Sequence, residues 1–247
     1  MWNELEYQIL KRISPHGPHL MTGNLYTNKG KLEVLLGKRI YDQIGGKTVI
    51  DFGCGFGHEA VDLAQHGAAR VIGLDNRERV LQEARERAKH AGVGDICDFC
   101  THTEERVDAI ISLDTFEHFG DPGQVLRKMH ELLQPGGAVW VSFGPTWYHP
   151  LGGHLFSIFP WAHLIFSEKA LIRWRSDIRN DGATGFREVE GGLNQMTVAR
   201  FESLVKASRF VVSSFEAVPI RKLKVFHNHL TREFTTSIVR CKLVKPD

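Results

Sequence analysis

The 247-residue sequence has few cysteines, little net charge and no long apolar run. Its four cysteines show no disulfide spacing, which favours a reducing compartment. With 31 basic and 29 acidic residues the formal net charge is +2, so the overall charge predicts no nucleic-acid partner. No apolar run is long enough to span a bilayer, and the acids near the start do not fit a secretory signal. We therefore expect a cytosolic protein without a membrane span.

A metal site is also not expected. Cys97 and Cys100 have the spacing of a zinc-binding pair, but residues 95–101 are predicted to form a strand, on which residues three apart point to opposite faces. The sequence contains no second cysteine pair to complete such a site. The histidines within residues 144–196 lack the carboxylates that a magnesium site needs.

Short apolar runs alternate with amphipathic helical patterns between residues 48 and 143. Alternation of this kind predicts a parallel sheet with right-handed crossovers. Two further helices are predicted before it, at residues 5–13 and 31–44. Residues 134–137, Gln-Pro-Gly-Gly, predict a helix stop and a turn before the fifth strand.

Residues 49–60 combine an apolar strand, an acid and three alternating glycines before a helix. Glycine allows a ligand to approach the backbone closely, and the start of a helix presents N–H groups to it. Asp75 ends the next apolar run, at the spacing of a ribose-binding carboxylate. A dinucleotide motif starting at Gly53 would require glycine at position 58, where this chain has histidine, so an NAD site is disfavoured.

These residues resemble the class I S-adenosylmethionine-dependent methyltransferases, whose first strand ends in an acid followed by Gly-x-Gly-x-Gly. Pro135-Gly136-Gly137 is a second match. The resemblance covers residues 47–143 well and the rest loosely. It implies an α/β, Rossmann-like class I methyltransferase fold, with a seven-stranded, mostly parallel sheet that ends in an antiparallel pair at residues 210–217 and 234–243.

The resemblance also suggests a domain organisation. We expect an N-terminal helical cap over residues 1–46 and a methyltransferase domain over residues 47–247, with a lid inserted after strand five at residues 144–196. Several aromatic rings of the insertion either line a site or form a small satellite core. Tyr26 either lines the active site or is a surface aromatic. Residues 151–166 are too short and broken to span a membrane, which leaves contact with a membrane surface or an apolar acceptor open.

The implied cofactor is S-adenosylmethionine. Backbone N–H groups of the glycine loop are expected at its amino-acid portion, with Asp51 orienting the loop or reaching the amine through water. Asp75 is expected to accept hydrogen bonds from both ribose hydroxyls. Thr101 and His102 are the candidates near adenine, because the acid that relatives place there is missing. The predicted cofactor-binding residues are Asp51, Gly53, Cys54, Gly55, Gly57, Asp75, Asn76, Thr101, His102, Leu113 and Asp114.

The fourth predicted strand ends in Asp114-Thr115-Phe116-Glu117-His118, which is similar to a segment of small-molecule and quinone-pathway members of the family. His118 is expected near the acceptor, either as a general base or as a structural histidine bonded to a neighbouring loop. The implied reaction is methyl transfer to a small molecule, at oxygen. A catalytically silent cofactor-binding regulator remains an alternative, as does an RNA or protein methyltransferase, although residues 113–116 lack the prolines of many such enzymes.

Residues 221–247 hold seven bases against two acids. Basic side chains on edge strands protect a sheet against edge-to-edge aggregation, and this interpretation is favoured. RNA binding is disfavoured because aromatic residues that could stack on bases are sparse there. The sequence does not fix the oligomeric state.

Overall fold

The computed structural model describes residues 2–14, 30–154, 156–157, 159–179, 181–189 and 192–247. Tyr26 and the rest of residues 15–29 of the predicted cap lie outside the described residues. The strands are β1 Thr48–Phe52, β2 Arg70–Leu74, β3 Cys97–Cys100, β4 Val107–Leu113, β5 Leu133–Phe143, β6 Val211–Pro219 and β7 Thr236–Val244. The α-helices are α1 Trp2–Ile13, α2 Lys31–Leu36, α3 Arg39–Ile44, α4 His58–Gln65, α5 Glu78–His90, α6 Pro122–Leu132, α7 Ala162–Ile165, α8 Glu168–Ser176, α9 Val198–Ala207 and α10 Arg232–Thr235.

The strands form one seven-stranded sheet in the order β3-β2-β1-β4-β5-β7-β6. Strands β1 to β5 are parallel, and β7 pairs antiparallel with both β5 and β6. The predicted fold class, including the closing antiparallel pair, is confirmed. The strand order reverses between β1 and β4, and in sheets of this type ligands bind beyond the carboxyl ends of the strands at that point.

Helices cover both faces of the sheet. One buried cluster joins the sheet to α2, α3, α4 and α5, and a second joins the other face to α6 and α9. Strands covered on both faces are expected to be apolar throughout, and six of the seven residues of β4 are buried. The two layers hold the carboxyl ends of the parallel strands at one fixed edge.

A third buried cluster belongs to the insertion and to α1. Tyr7 and Leu10 of α1 pack with Phe156, Trp174 and Phe186. The Trp174 indole donates to the Ser14 carbonyl over 3.1 Å. The satellite-core interpretation is therefore confirmed for these buried rings, although its partner helix α1 comes from the predicted cap. The lid role of the insertion stays a prediction.

Three predicted elements differ from the structure. The single helix predicted over residues 31–44 is two helices, because Gly37 takes φ 80°, which ends the first. Residues 134–137 belong to β5 rather than to a turn, since Gly136 donates to the Lys245 carbonyl at the far end of the chain over 3.0 Å. Residues 232–235 are helical, so the last strand starts at Thr236.

The edge-strand interpretation of the C-terminal bases is wrong for several of them. Strand β7, which carries Arg240 and Lys242, lies between β5 and β6 and is not an edge. Arg221, Lys222 and Lys224 lie in a 3-10 helix that spans Arg221–Phe226. Within the described ranges, no helix is both long and apolar enough to cross a bilayer.

Candidate active site

A cleft of about 960 Å³ opens beyond the carboxyl ends of β1, β2 and β4. It lies where the strand order reverses, as expected for a ligand site in this type of sheet. Residues from separate parts of the chain meet there because parallel strands end at the same edge. The predicted site residues that line it are Asp51, Gly53, Cys54, Gly55, Asp75, Asn76, Thr101, His102, Leu113, Asp114 and His118.

The glycine loop is fixed by its own hydrogen bonds. The N–H groups of Gly53 and Cys54 both donate to the Leu74 carbonyl, over 2.8 and 2.9 Å. Gly55 N–H donates to Asp75 Oδ2 over 3.0 Å. In this structure the three N–H groups tie the end of β1 to the end of β2, and their predicted contact with the amino-acid portion of a cofactor stays a prediction.

Gly57 has a packing role in this structure, and its predicted contact with a ligand stays a prediction. It takes φ 74° and precedes α4, and it is not among the described residues that line the cleft. A Cβ atom there would lie 2.7 Å from Cβ of Ala84 and 3.0 Å from the Phe99 ring. The third glycine thus allows α4 to start close against α5 and β3.

Asp51 is a buried acid with an unused acceptor. Burial raises its pKa well above the usual range, and the nearby Glu59 charge raises it further. Its Oδ2 is buried and makes no hydrogen bond with the part of the chain that the structure describes. A donor brought by a ligand, such as an ammonium group, would satisfy this oxygen.

Asp75 accepts four hydrogen bonds within the chain. Besides Gly55, its donors are the Arg77 N–H and Nε, each 3.0 Å from Oδ1, and an Arg77 terminal nitrogen 3.1 Å from Oδ2. Burial alone would raise the pKa of Asp75, but the Arg77 guanidinium and the two backbone N–H groups outweigh it and hold the pKa below its usual range. A ribose diol would have to displace the guanidinium to reach this carboxylate.

Lys31 enters the site from α2 and was missed by the sequence interpretation. Its Nζ lies 3.0 Å from Asp114 Oδ2 and 3.6 Å from Glu59 Oε1. Burial raises the pKa of Asp114, and the Lys31 charge works against that rise. No local pattern links α2 to the end of β4, so only the tertiary fold reveals this contact.

His118 is held by the insertion. Its Nδ1 lies 2.7 Å from the Gly192 carbonyl oxygen. A carbonyl can only accept, so Nδ1 carries the proton and the neutral ring has its lone pair on Nε2. The structural interpretation of His118 predicts this hydrogen bond to a neighbouring loop. The same bond holds the ring in one orientation, which the general-base interpretation also requires.

Asn194 fastens the insertion to the turn that contains His118. Its side-chain Nδ2 donates to the carbonyls of Phe116 and Phe119, over 2.6 and 2.8 Å. Its backbone N–H donates to the Glu117 carbonyl over 2.9 Å. The residue lies 78 positions from Phe116 in sequence, and no motif marks it. The insertion therefore positions a wall of the cleft directly.

Glu117 is a second buried acid beside the cleft. Gly144 N–H donates to its Oε1 over 3.2 Å, and Oε2 has no partner in the described ranges. Burial, and then the charge of Asp114, raise the pKa of Glu117 to about 8. The folded chain thus holds a proton here that an unfolded chain would release at a lower pH.

We expect this proton to make stability fall with rising pH. The folded pKa is about 8 against an ordinary value of 4.5, so the free energy of unfolding decreases as pH rises through that interval. Glu117→Gln cannot titrate, so its stability relative to the wild type should increase as pH rises. Urea unfolding midpoints across that interval measure the difference. Glu131→Gln, at an exposed position on α6, is the control, and a Glu117→Gln curve parallel to the wild type would refute the expectation.

Comparison with known proteins points to the same part of the chain. Residues 45–144 match a family described as a methyltransferase domain. That range contains β1 to β5 and every strand end that forms the cleft.

Several similar curated proteins are named ubiquinone biosynthesis O-methyltransferase. The one from Pseudomonas paraeruginosa is 37% identical over 107 residues, covering 40% of this chain and 45% of that protein. The one from Vibrio vulnificus is 33% identical over 137 residues, covering 53% of this chain and 56% of that protein. The chain thus matches about half the length of these relatives.

Solved structures match over more of the chain. A putative sarcosine dimethylglycine methyltransferase from Galdieria sulphuraria superposes with a TM-score of 0.57 at 15% identity, covering 87% of this chain and 85% of that one. At this identity the likeness concerns the fold alone.

Proposed function

We infer that this chain, which belongs to the class I S-adenosylmethionine-dependent methyltransferases, transfers the methyl group of that cofactor to an oxygen atom of a small molecule. The resemblance predicted from Asp51, the glycine loop and residues 135–137 is confirmed at the level of family and fold. The observation that carries the proposed reaction is the convergence of Asp51, Asp75, Asp114 and His118 on one cleft.

The acids of the cleft fit the charges of the cofactor, a sulfonium cation with a free amine. Asp51 offers the amine a buried oxygen that has no hydrogen-bond partner among the described residues, and Asp114 and Glu59 add negative charge around Lys31. Lys31 is the cation that can meet the carboxylate of the amino-acid portion. Asp75 lies at the end of β2, where the ribose is expected. The contacts of Asn76, Thr101, His102 and Leu113 with the cofactor remain part of this proposal.

When bound, the cofactor supplies an activated methyl group for in-line displacement. The chain has to hold the acceptor oxygen near that group and exclude water. His118, with its Nε2 lone pair, is proposed to take the hydroxyl proton as the bond to carbon forms. Asn194 holds the turn at residues 116–119 through two side-chain hydrogen bonds, and this keeps the ring in place.

The acceptor is proposed to be a small molecule with a hydroxyl group. Several similar curated proteins are named as O-methyltransferases of ubiquinone biosynthesis, which supports oxygen as the acceptor atom. The same names favour an enzyme over a silent regulator, and a small molecule over RNA or protein. The free thiols of Cys54, Cys97, Cys100 and Cys241 agree with a reducing, cytosolic location.

The test is production of S-adenosylhomocysteine from S-adenosylmethionine in the presence of hydroxylated aromatic compounds. Mass spectrometry should detect a methyl ether on at least one compound. The matched methyl ethers, which have no free hydroxyl at that position, serve as controls. Binding of the cofactor without turnover on any hydroxyl, together with methylation of an amine or of RNA, would contradict oxygen transfer to a small molecule.

We also propose that the insertion, residues 144–196, acts as a lid. Since water must leave the transfer site, amides of residues 145–190 should exchange faster in the free protein than with S-adenosylhomocysteine and acceptor bound. Hydrogen exchange read by mass spectrometry measures this. The amides of β1 and β4 provide the reference. If residues 147–174 are as protected as those strands without ligand, the satellite core is a static subdomain and not a lid.

A further inference from the structure

The connection between β6 and β7 projects from the sheet as an exposed feature that the proposed reaction does not use. We call residues 221–230, which contain the 3-10 helix Arg221–Phe226, the β6–β7 tip. Its helix contributes no buried residue. Val225, Phe226 and Leu230 are 86%, 63% and 80% exposed. An isolated exposed apolar side chain is ordinary, but three on one short segment mark a surface that binds something.

The same segment concentrates positive charge. Arg221, Lys222 and Lys224 are exposed, and no ion pair to an acid is found for them within the described ranges. The nearby Arg232 is already paired with Glu202, and Glu233 accepts hydrogen bonds from the first N–H groups of α9. The charges where the tip joins the sheet are thus paired and held in place. The end of the tip, in contrast, carries basic side chains beside apolar ones.

Several backbone groups of the tip have hydrogen-bond partners within the tip or next to it. His227 N–H donates to the Lys224 carbonyl over 3.2 Å, and Asn228 Oδ1 accepts from the N–H of Leu230 over 2.9 Å. Asn228 N–H donates to Thr231 Oγ1 over 3.1 Å. A segment that enters an apolar environment must carry its own hydrogen-bond partners, because unpaired backbone groups are costly there. The tip meets part of this requirement through its own hydrogen bonds.

The tip also lies at the edge of the sheet that holds the candidate active site. Strand β7 runs antiparallel to β5, with Phe143 beside Val239, so the β6–β7 connection leaves the sheet at the carboxyl end of β5. Phe234, next to the tip, packs against Tyr148 of the insertion with ring centroids 5.0 Å apart. A surface bound by the tip would therefore lie on the same side of the molecule as the cleft.

We propose that the β6–β7 tip binds the surface of an anionic lipid bilayer. Val225, Phe226 and Leu230 enter the boundary between headgroups and acyl chains, and Arg221, Lys222 and Lys224 contact the headgroup phosphates. The positive charge of the tip favours an anionic lipid surface over a second copy of the chain as its partner. In a two-fold symmetric contact the same three bases would face each other, which is unfavourable, whereas an anionic surface attracts them.

The experiment is co-sedimentation of the full chain with vesicles of phosphatidylcholine, with and without phosphatidylglycerol. Binding should be at least about tenfold stronger to the anionic vesicles and should weaken between about 0.1 and 1 M salt. Lys222→Gln with Lys224→Gln should weaken it about fivefold for each charge removed. Replacing Val225, Phe226 and Leu230 by serine should weaken it by at least about tenfold.

Val211→Ser with Val212→Ser is the matched control. These valines are also exposed, but they lie at the other end of β6, about 25 Å along the strand from the tip. Their replacement should leave vesicle binding unchanged. Binding of S-adenosylhomocysteine by each variant shows that it is folded and separates this proposal from the proposed reaction. No binding to anionic vesicles, or equal binding by the tip variants, would overturn the proposal. So would a dimer in sedimentation velocity that the tip variants abolish.

Discussion

His118→Asn is expected to lower kcat by about 10²–10⁴-fold while cofactor affinity and melting temperature stay near those of the wild type. The asparagine amide can take the place of Nδ1 and keep the hydrogen bond to the Gly192 carbonyl, which is 2.7 Å long in the wild type. It places no proton acceptor at the position of Nε2, the atom proposed to accept the hydroxyl proton. Since a protonated imidazole cannot act as a base, the wild-type rate should fall at acid pH, and the variant should lack that dependence.

His118→Gln is the companion variant, because its amide lies nearer the position of Nε2 and does not reproduce the bond to Gly192. If His118 only fastens the insertion, His118→Gln should lower the melting temperature and His118→Asn should not. Both variants would then turn over at nearly the wild-type rate per folded molecule. That result would remove His118 from the proposed mechanism.

Asp75→Ala is expected to weaken cofactor binding by about 1–3 kcal/mol, the cost of losing charge-assisted hydrogen bonds to the ribose. Isothermal titration calorimetry with S-adenosylhomocysteine measures this change. Asp98→Ala, at an exposed acid on the neighbouring strand β3, is the control and should bind like the wild type. Unchanged affinity in Asp75→Ala would contradict the assignment of the ribose site.

Arg77→Ala sharpens the same prediction. In the structure Arg77 supplies three of the four hydrogen bonds that Asp75 accepts, two of them from its guanidinium. Removing the guanidinium frees those acceptor positions, so the variant should bind the cofactor at least as tightly as the wild type. A large loss of affinity would instead show that Arg77 contacts the ligand itself.

The sequence predicted the fold and the place of the cleft because both depend on local patterns. Alternating strands and helices specify the parallel sheet, and the acids Asp51 and Asp75 each end a strand, so their positions at one sheet edge follow from topology. The sequence did not reveal contacts between a local group and a distant partner. The loop N–H groups donate to Leu74 and Asp75, which lie at the end of another strand, and no local pattern showed this.

Contacts between separated segments explain the residues that were missed. Lys31 reaches Asp114 from a helix that precedes the whole sheet, and Asn194 holds the turn that contains His118 from the end of the insertion. Neither residue lies in a motif, and a lysine or an asparagine at these places would ordinarily be expected at the surface. The C-terminal bases were interpreted as one group that protects edge strands, although Arg221, Lys222 and Lys224 lie between the two predicted strands and form a 3-10 helix.

Calorimetric titration of the wild-type chain with S-adenosylmethionine is the most direct test of the central claim, that the cleft beyond β1, β2 and β4 is a methyl-donor site. We predict saturable binding of one cofactor molecule for each chain, abolished by prior saturation with S-adenosylhomocysteine and unaffected by NAD. Absence of saturable binding, or competition by NAD, would contradict the account.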